Sequence, residues 1–172
     1  MHMFDELINR CTSFTLLAMN ELHNKISVAM QTSGATSHVK GLQMIQLQKA
    51  IMAVGMFSLF EAILQDNLNC TNGFDEAAKI LNDERKIELR DEFLDFQKAI
   101  NVLKHGRGNS YQALVAKSHN LPFIVKSPTE YFFNEGDVSE ISTLIEVDDI
   151  FVQECARIIQ DVSNVIRGVR PY

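Results

Sequence analysis

The sequence contains no tryptophan, only three prolines and only three cysteines among its 172 residues. Scarce proline, together with seven methionines and many Leu, Ile and Ala, favours helices over sheet. The cysteines are odd in number and form no CxxC pair, so neither a disulfide framework nor a zinc site is expected. We expect Cys11, Cys70 and Cys155 to be small, buried, apolar residues.

The sequence also lacks the charged-then-apolar layout of a signal peptide. Its longest unbroken apolar run, 50–57, is far shorter than the roughly 20 residues that span a bilayer. We therefore expect a cytoplasmic protein that does not contact a membrane, folded as one domain over residues 1–172. No spaced Asp/Glu/His cluster occurs, so no metal site and no cofactor are expected.

Acidic residues are missing from one long segment of an otherwise acidic chain. The formal net charge is -6, yet no Asp or Glu occurs in the 34 residues 96–129. The segment carries five cations and two histidines, namely Lys98, Lys104, Arg107, Lys117, Lys126, His105 and His119. A local excess of one charge favours an anionic ligand, of which phosphate is the commonest. The alternative is a surface patch that balances acids elsewhere in the fold.

Apolar periodicity predicts four long helices. We place them at about 3–30, 38–69, 83–105 and 149–168, with Asp148 as the N-cap of the last. A short helix is expected over 74–81, and one or two further turns over 110–117. The second long helix is apolar nearly all round, which is typical of a bundle centre or a subunit interface.

The segment 121–147 breaks this pattern with short β-branched or aromatic runs around Pro128 and the turn "NEGD". A small β-ribbon or an ordered loop fits it better than a helix. The predicted fold class is therefore all-α. It is an antiparallel bundle of four long helices with a short extra helix and a ribbon or loop insertion before the last helix.

The end of the third long helix gathers polar groups on one face. Lys98, Asn101 and His105 are spaced by three and four residues, which stacks them on one side of a helix. Imidazole titrates near neutral pH and can act as a general acid or base, while a neighbouring cation can hold a phosphate. Alternatively, His105 only complements the helix dipole and Asn101 only faces solvent.

Helix order, the apolar segment "FSLFEAIL", the motif "INVLKHGRG" and the closing "VDDIFVQECARIIQDV" together resemble the HEPN superfamily. The resemblance covers about residues 5–168. It implies an all-α domain that usually dimerises. Many members are metal-independent RNases of toxin–antitoxin, phage-defence and RNA-processing systems, and others are non-catalytic binding modules.

The family signature is an Arg, then four to six residues, then a His, with a polar residue often following the Arg. By resemblance, the catalytic residues would be His105 and Asn101. Ile100 stands where the Arg would fall, and Lys98 fits only the widest spacing. Lys98, Lys104 and Arg107 remain candidate phosphate-binding residues, but a Lys lacks the planar fork of Arg.

Glu61 is the only acid in the most apolar stretch of the second helix. The resemblance implies that it faces the same pocket as His105. The alternative is a structural ion pair, for which Arg90 is a possible partner.

The sequence thus predicts a HEPN-like protein that is RNA-associated or binds a partner protein, with a homodimer expected and catalysis in doubt because Ile100 replaces the Arg. The alternative is an active, metal-independent endoribonuclease that uses His105 as its base.

Overall fold

The computed structural model describes residues 2–127, 134–135, 138–139 and 143–170. The all-α fold class is confirmed, since helices account for most of these residues. They are α1 His2–Met30, α2 Thr36–Leu68, α3 Gly73–Asp83, α4 Ile87–His105, α5 Asn109–Val115 and α6 Asp149–Val169, with a short 3-10 helix at Ser118–Asn120.

The segment before α6 contains two short strands in its described part. They are β1 Asn134–Glu135 and β2 Val138–Ser139, which pair antiparallel. An isolated antiparallel bridge joins Val125 to Ile145. Much of 121–147 lies outside the described residues, so the predicted ribbon or loop stays a prediction.

Helix α1 runs antiparallel to both α6 and α2. Against α6, Asp5 pairs with Arg167 at 2.5 Å, and the Asn20 amide donates to Asp149 at 2.8 Å. Against α2, Thr12 Oγ1 lies 3.4 Å from Met56 Sδ, and the ring of Phe4 stacks on that of Phe60 with centroids 6.4 Å apart. Helix α1 therefore packs on two neighbours through two adjacent sides.

Helix α4 packs antiparallel to α6 on the far side of the core. The Arg157 guanidinium on α6 donates to Glu92 on α4 at 2.5 Å, and the rings of Phe96 and Phe151 stack at 5.2 Å. Glu154 and Asp161 also accept from Arg157. Burial lowers the pKa of this guanidinium, but the surrounding carboxylates raise it more, so its net pKa lies above its ordinary value.

Two groups of aromatic rings fill the core. Phe57, Phe60, Phe74 and Phe93 contact one another where α2, α3 and α4 meet. Phe96, Phe123 and Phe151 form the second group. Edge-to-face and stacked ring pairs of this kind add to the free energy gained from burial alone.

The apolar periodicity that predicts α1 runs through Phe4, Leu7, Ile8, Cys11, Ala18, Leu22, Ile26 and Ala29, and only part of it faces the core. The buried residues on this helix are Asp5, Ile8, Thr12, Leu16 and Met19. By contrast, the apolar residues Leu7, Cys11, Ala18 and Leu22 are exposed. The helix therefore carries two apolar stripes, and only one of them faces the core.

Helix α2 is also buried on one side only. Seven of its residues lie in the core, including Phe57, Phe60 and Leu64. By length and composition α2 could cross a membrane, but such a helix is weak evidence for a membrane span; 28% of its most apolar window is buried. The sequence predicts that this helix lies at a bundle centre or at a subunit interface. A place at the centre of the bundle explains its buried side but not the exposed apolar residues on its opposite side.

The cysteines fall in three different environments. Cys155 is buried, as predicted, and burial raises the pKa of its thiol well above its ordinary value. Cys70 is half-buried. Cys11 is exposed, so the prediction of a buried residue is wrong there.

Helix α6 begins at the predicted cap. The Asp148 carboxylate accepts from the Phe151 backbone N–H at 2.7 Å. The next residue, Asp149, joins three helices, since it contacts Lys49 of α2 at 2.7 Å and Asn20 of α1 at 2.8 Å. Burial of this carboxylate raises its pKa, but Lys49 and Asn20, with a smaller contribution from His23, lower it more, so its net pKa lies below its ordinary value.

Asp149→Asn should lower the free energy of unfolding by about 1 kcal/mol at pH 7, a modest loss because the ion pair is partly solvated. A carboxylate with a depressed folded-state pKa stabilises the fold above its unfolded pKa, and this contribution disappears as the pH falls through the folded value. The wild type should therefore lose more stability than the variant below about pH 4. Urea titrations at several pH values measure both curves.

Asp83→Asn is the control, because Asp83 is exposed and forms no ion pair with another described residue. Parallel pH curves for wild type and Asp149→Asn would contradict the assignment.

Candidate functional site at the carboxyl end of α4

The candidate site lies where α4 ends. Lys104 and His105 occupy its last turn, where cationic groups interact favourably with the free carbonyls. Gly106 caps the helix with a φ of 70°, a conformation that favours glycine, and its N–H donates to the Val102 carbonyl at 2.8 Å. Gly108 is extended and precedes α5. The two glycines thus hold the chain in a sharp turn directly after the histidine.

Three candidate residues lie together on the surface at this turn. Lys104, His105 and Arg107 are all exposed. None of them forms an ion pair with another residue in the described part of the chain. These three side chains are therefore open to solvent and to an anionic ligand, and they are named below as the α4-end cluster.

Lys98 has a different environment from the α4-end cluster. Its ammonium lies 3.4 Å from Asp95 Oδ1, and the ammonium of Lys117 contacts the same oxygen. Asp95 is 9% exposed. The two lysines thus neutralise a buried carboxylate, which would be costly to leave unpaired. Lys98 has a structural partner that a phosphate ligand would have to displace.

The last lysine of the acid-free segment is buried. Lys126 is 5% exposed, and its backbone carbonyl accepts from the Tyr111 hydroxyl at 3.0 Å. Of the five cations predicted to form a basic surface, Lys98 and Lys117 pair with Asp95 and Lys126 is buried. The exposed positive charge of the segment is carried by Lys104 and Arg107, with the exposed His105 between them in sequence. His119 is also exposed but lies twelve residues after Arg107.

Asn101 lies one turn before His105 and is half-buried. The preceding residue, Ile100, is 3% exposed and belongs to the core. An Arg at position 100 would therefore start from a core position, and its charged group would have to leave the interior to reach a ligand.

Glu61 lies far from the α4-end cluster. It is half-buried and follows Phe60, whose ring contacts that of Phe93 at 6.3 Å. Phe93 precedes His105 by twelve residues, or about 18 Å along the helix axis. The structure does not bring Glu61 and His105 together. Its suggested partner Arg90 instead contacts Asp91 and the Asn82 side chain.

No family model, curated protein or solved structure matches this chain. Within the described residues, no group of three His, Cys, Asp or Glu side chains could hold a metal ion. The chemistry of the site must therefore be inferred from its own side chains, which offer two permanent cations, one imidazole and one amide.

Asp95 is the residue that sequence reasoning missed. It is the last acid before the acid-free segment and lies three residues before Lys98, a spacing at which helical side chains meet. That signal could have identified the contact with Lys98. The contact with Lys117, twenty-two residues away, depends on the tertiary fold.

Proposed function

We propose that this chain is a HEPN-like helical protein, with its four long helices arranged as an antiparallel bundle, that binds RNA without cleaving it. It would serve in the cytoplasm as a module of a defence or toxin–antitoxin type system. The observation that carries the proposal is the exposed α4-end cluster beside a buried Ile100: cations for phosphate are present, and the family's Arg is not.

The charge distribution supports RNA association. A chain of net charge -6 repels a polyanion except where its positive charge is concentrated. Lys104 and Arg107 lie on either side of His105, and no described carboxylate neutralises them. Phosphate contacts of this kind supply most of the sequence-independent affinity of proteins for RNA.

The environment of the motif argues against catalysis. Ile100 is a core residue, so a guanidinium is absent from the position that the family signature requires. Lys98, which has the widest permitted spacing, is paired with Asp95. Arg107 follows the histidine, so its planar fork is not where the signature places it.

A second candidate, an active endoribonuclease, is favoured by the exposure of His105. In this mechanism the imidazole takes the proton of a ribose 2′-OH, and the oxygen attacks the adjacent phosphate. The 5′-oxygen of the next nucleotide then leaves and takes up a proton from the imidazolium or from water, giving a 2′,3′-cyclic phosphate without a metal ion. Arg107 would stabilise the negative charge that develops on the phosphorane.

One set of measurements separates these candidates. Fluorescence anisotropy with a single-stranded RNA should give a salt-dependent affinity. The double variant Lys104→Ala, Arg107→Ala should bind roughly tenfold more weakly, with a salt slope reduced by about 1.4. The matched control is Lys79→Ala with Arg170→Ala, which removes one exposed Lys and one exposed Arg beside Glu76. Its RNA affinity should change far less.

Cleavage is tested with the same RNA in EDTA, comparing wild type with His105→Ala. We expect no cleavage by either protein. Cleavage that ends in a cyclic phosphate and is lost in His105→Ala would replace the proposal with the second candidate. If the wild type does not bind RNA even at low salt, the RNA association is wrong and a protein partner takes its place.

A further inference from the structure

Most of the exposed apolar side chains in the described part of the chain lie on α1 and α2. Fourteen large apolar residues are exposed, and nine of them belong to these two helices. They are Leu7, Phe14, Leu17, Leu22 and Val28 on α1 and Met44, Leu47, Ile51 and Leu59 on α2. Isolated exposed apolar residues are ordinary, but nine on two neighbouring helices mark an interaction surface. Together they are named the outer face.

Both helices present these residues away from α6. A step of two residues turns an α-helix by about 200°. On α1, Leu7 is two residues from both Asp5 and Asn9, which contact α6. On α2, Ile51 is two residues from Lys49, which also contacts α6. The exposed residues of α1 and of α2 therefore lie on the same side of the molecule.

Helices α1 and α2 contact each other near both ends, so their exposed residues lie side by side. At one end the ring of Phe4 stacks on that of Phe60. At the other end Gly41 lies so close to Ile26 that an added Cβ would be 2.6 Å from Ile26 Cδ1. The outer face is therefore one elongated surface that spans both helices.

The apolar stripe of α2 has a charge of opposite sign at each end. Lys40 and Asp66 are exposed, and they lie eleven residues before and fifteen residues after Ile51. These steps are about three and four helical turns, so both charges lie on the same side of α2 as Ile51. Neither forms an ion pair with another residue in the described part of the chain. The outer face is thus an apolar surface with a free cation at one end and a free anion at the other.

These two charges do not stabilise α2 itself. Asp66 is in its last turn, where the free carbonyls carry partial negative charge, and Lys40 is near its other end, where the free N–H groups carry partial positive charge. Other helices place their charges favourably, since α3 begins with Asp75 and α4 ends with Lys104. A partner of complementary charge would explain the unfavourable placement of Lys40 and Asp66.

We propose that the outer face binds an amphipathic helix of another protein. This helix has acidic residues near its N-terminus, basic residues near its C-terminus and an apolar stripe between them. Its acidic end lies on Lys40 and its basic end on Asp66, so it runs parallel to α2 and antiparallel to α1. Acids in the first turn and bases in the last turn also stabilise an isolated helix, so the partner's charges favour both its own folding and its binding.

The size of the outer face suits a single helix. Met44 to Leu59 give a length of about 22 Å, and two adjacent helices give a width of about 20 Å. The flat area, about 450 Å², is roughly half of the 800 Å² that each partner of a typical stable complex buries. One helix about 10 Å wide covers this surface, and about 26 residues reach from Lys40 to Asp66.

The charges on α1 and α2 distinguish this partner from a lipid surface. Glu6 pairs with Arg10, and Glu21 pairs with Lys25, so each pair is neutral. The charge of Lys40 is likewise balanced by that of Asp66. A lipid surface would favour an excess of Lys and Arg beside the apolar residues, and these groups provide none.

The proposal does not rest on the proposed function. Helix α4 packs on the core side of α2, where the ring of Phe93 contacts those of Phe57 and Phe60. The outer face is the opposite side of α2. The α4-end cluster and the outer face are therefore separate surfaces, and each can be tested by substitutions that leave the other intact.

Two synthetic peptides test the proposed charge pattern. Both are capped, fluorescein-labelled helices of about 28 residues with leucines at positions i, i+3, i+4 and i+7 of each repeat. The first has two Glu in its first turn and two Lys in its last turn, and the second has these charges exchanged. In fluorescence anisotropy, wild type should bind the first peptide roughly tenfold more tightly than the second.

Exchanging the two charges of the protein provides the decisive comparison. The double variant Lys40→Glu, Asp66→Lys should bind the second peptide more tightly than the first. Peptide helicity is the same for both proteins, so the change in the affinity ratio reports on these two charges. The thermal midpoint of the variant should not fall, because the exchange suits the dipole of α2. Asp83→Lys with Lys86→Glu makes the same exchange at exposed positions between α3 and α4 and should leave the ratio unchanged.

Ile51→Glu tests the apolar part of the outer face. It should weaken binding of the first peptide roughly 100-fold, because a carboxylate would be buried without a partner. The matched control is Ile124→Glu, since Ile124 is 58% exposed against 54% for Ile51 and follows Phe123, which packs on α4 and α6. Its affinity for the peptide should equal that of wild type.

Four results would overturn the proposal. Wild type could bind neither peptide at about 100 μM protein, or the affinity ratio could stay the same in the charge-exchanged variant. Sedimentation velocity could show a dimer that Ile51→Glu dissociates, which would assign the outer face to a second copy. Flotation with phosphatidylcholine–phosphatidylglycerol vesicles, lost in Ile51→Glu, would assign it to lipid.

Discussion

Phe93→Ala is expected to lower the free energy of unfolding by about 4 kcal/mol, because it removes a fully buried ring at the junction of three helices. The Phe93 ring lies 5.4 Å from that of Phe74, 6.3 Å from that of Phe60 and 6.4 Å from that of Phe57. Truncation leaves a cavity lined by three rigid rings, which can relax only slightly to fill it. Urea unfolding followed by far-UV circular dichroism measures the loss at a fixed protein concentration.

Ile87→Ala provides the control on the same helix. Ile87 is exposed at the start of α4, so its truncation should cost less than about 1 kcal/mol. The loss in free energy of unfolding for Phe93→Leu should lie between those of Phe93→Ala and Ile87→Ala, because leucine retains part of the buried volume. Equal losses for Phe93→Ala and Ile87→Ala would contradict the assignment of this ring cluster as the centre of the core.

The helices could be predicted because their apolar residues recur with a helical period. Helix α6 is the clearest case, since it carries a single stripe that is almost wholly buried, and its N-cap at Asp148 was predicted correctly. The all-α class follows from such patterns. The arrangement of the helices depends on contacts between distant residues, which periodicity does not specify.

Helix α1 marks the limit of this reasoning. Its core residues Ile8, Leu16 and Met19 and its exposed residues Leu7 and Phe14 are all apolar. Three- and four-residue spacings link members of both stripes, so the pattern merges them into one. Only the contacts with α2 and α6 decide which stripe is buried. An apolar pattern wider than one helix face was the available signal that some of these residues stay exposed.

The position of the candidate site could be predicted from the sequence, but which of its cations form ion pairs could be predicted less well. The helix end, its glycine and the cluster of cations follow from local sequence. The pairing of Lys117 does not, because its partner Asp95 lies on α4, twenty-two residues earlier in the chain. The separation of Glu61 from His105 likewise depends on the relative level of α2 and α4, which the ring contacts define and the sequence does not.

Arg167→Met is expected to lower the free energy of unfolding by about 3 to 5 kcal/mol, because it leaves the buried carboxylate of Asp5 without its counter-charge. The Asp5 side chain is 4% exposed, and the guanidinium lies 2.5 Å from its Oδ2. The other oxygen, Oδ1, has no hydrogen-bond partner among the described residues, so the arrangement is not fully satisfied even with Arg167 present. The ion pair therefore contributes mainly by avoiding an isolated charge.

The double variant Asp5→Leu, Arg167→Met tests this reasoning. Replacing both partners removes the buried charge altogether, so it should recover most of the stability lost in Arg167→Met alone. Arg10→Met is the matched control, since Arg10 pairs with Glu6 at 2.7 Å and both side chains are largely exposed, so the substitution should cost less than about 1 kcal/mol. If the double variant were less stable than Arg167→Met, the pair would owe its effect to attraction between the two charges, and the isolated-charge explanation would be wrong.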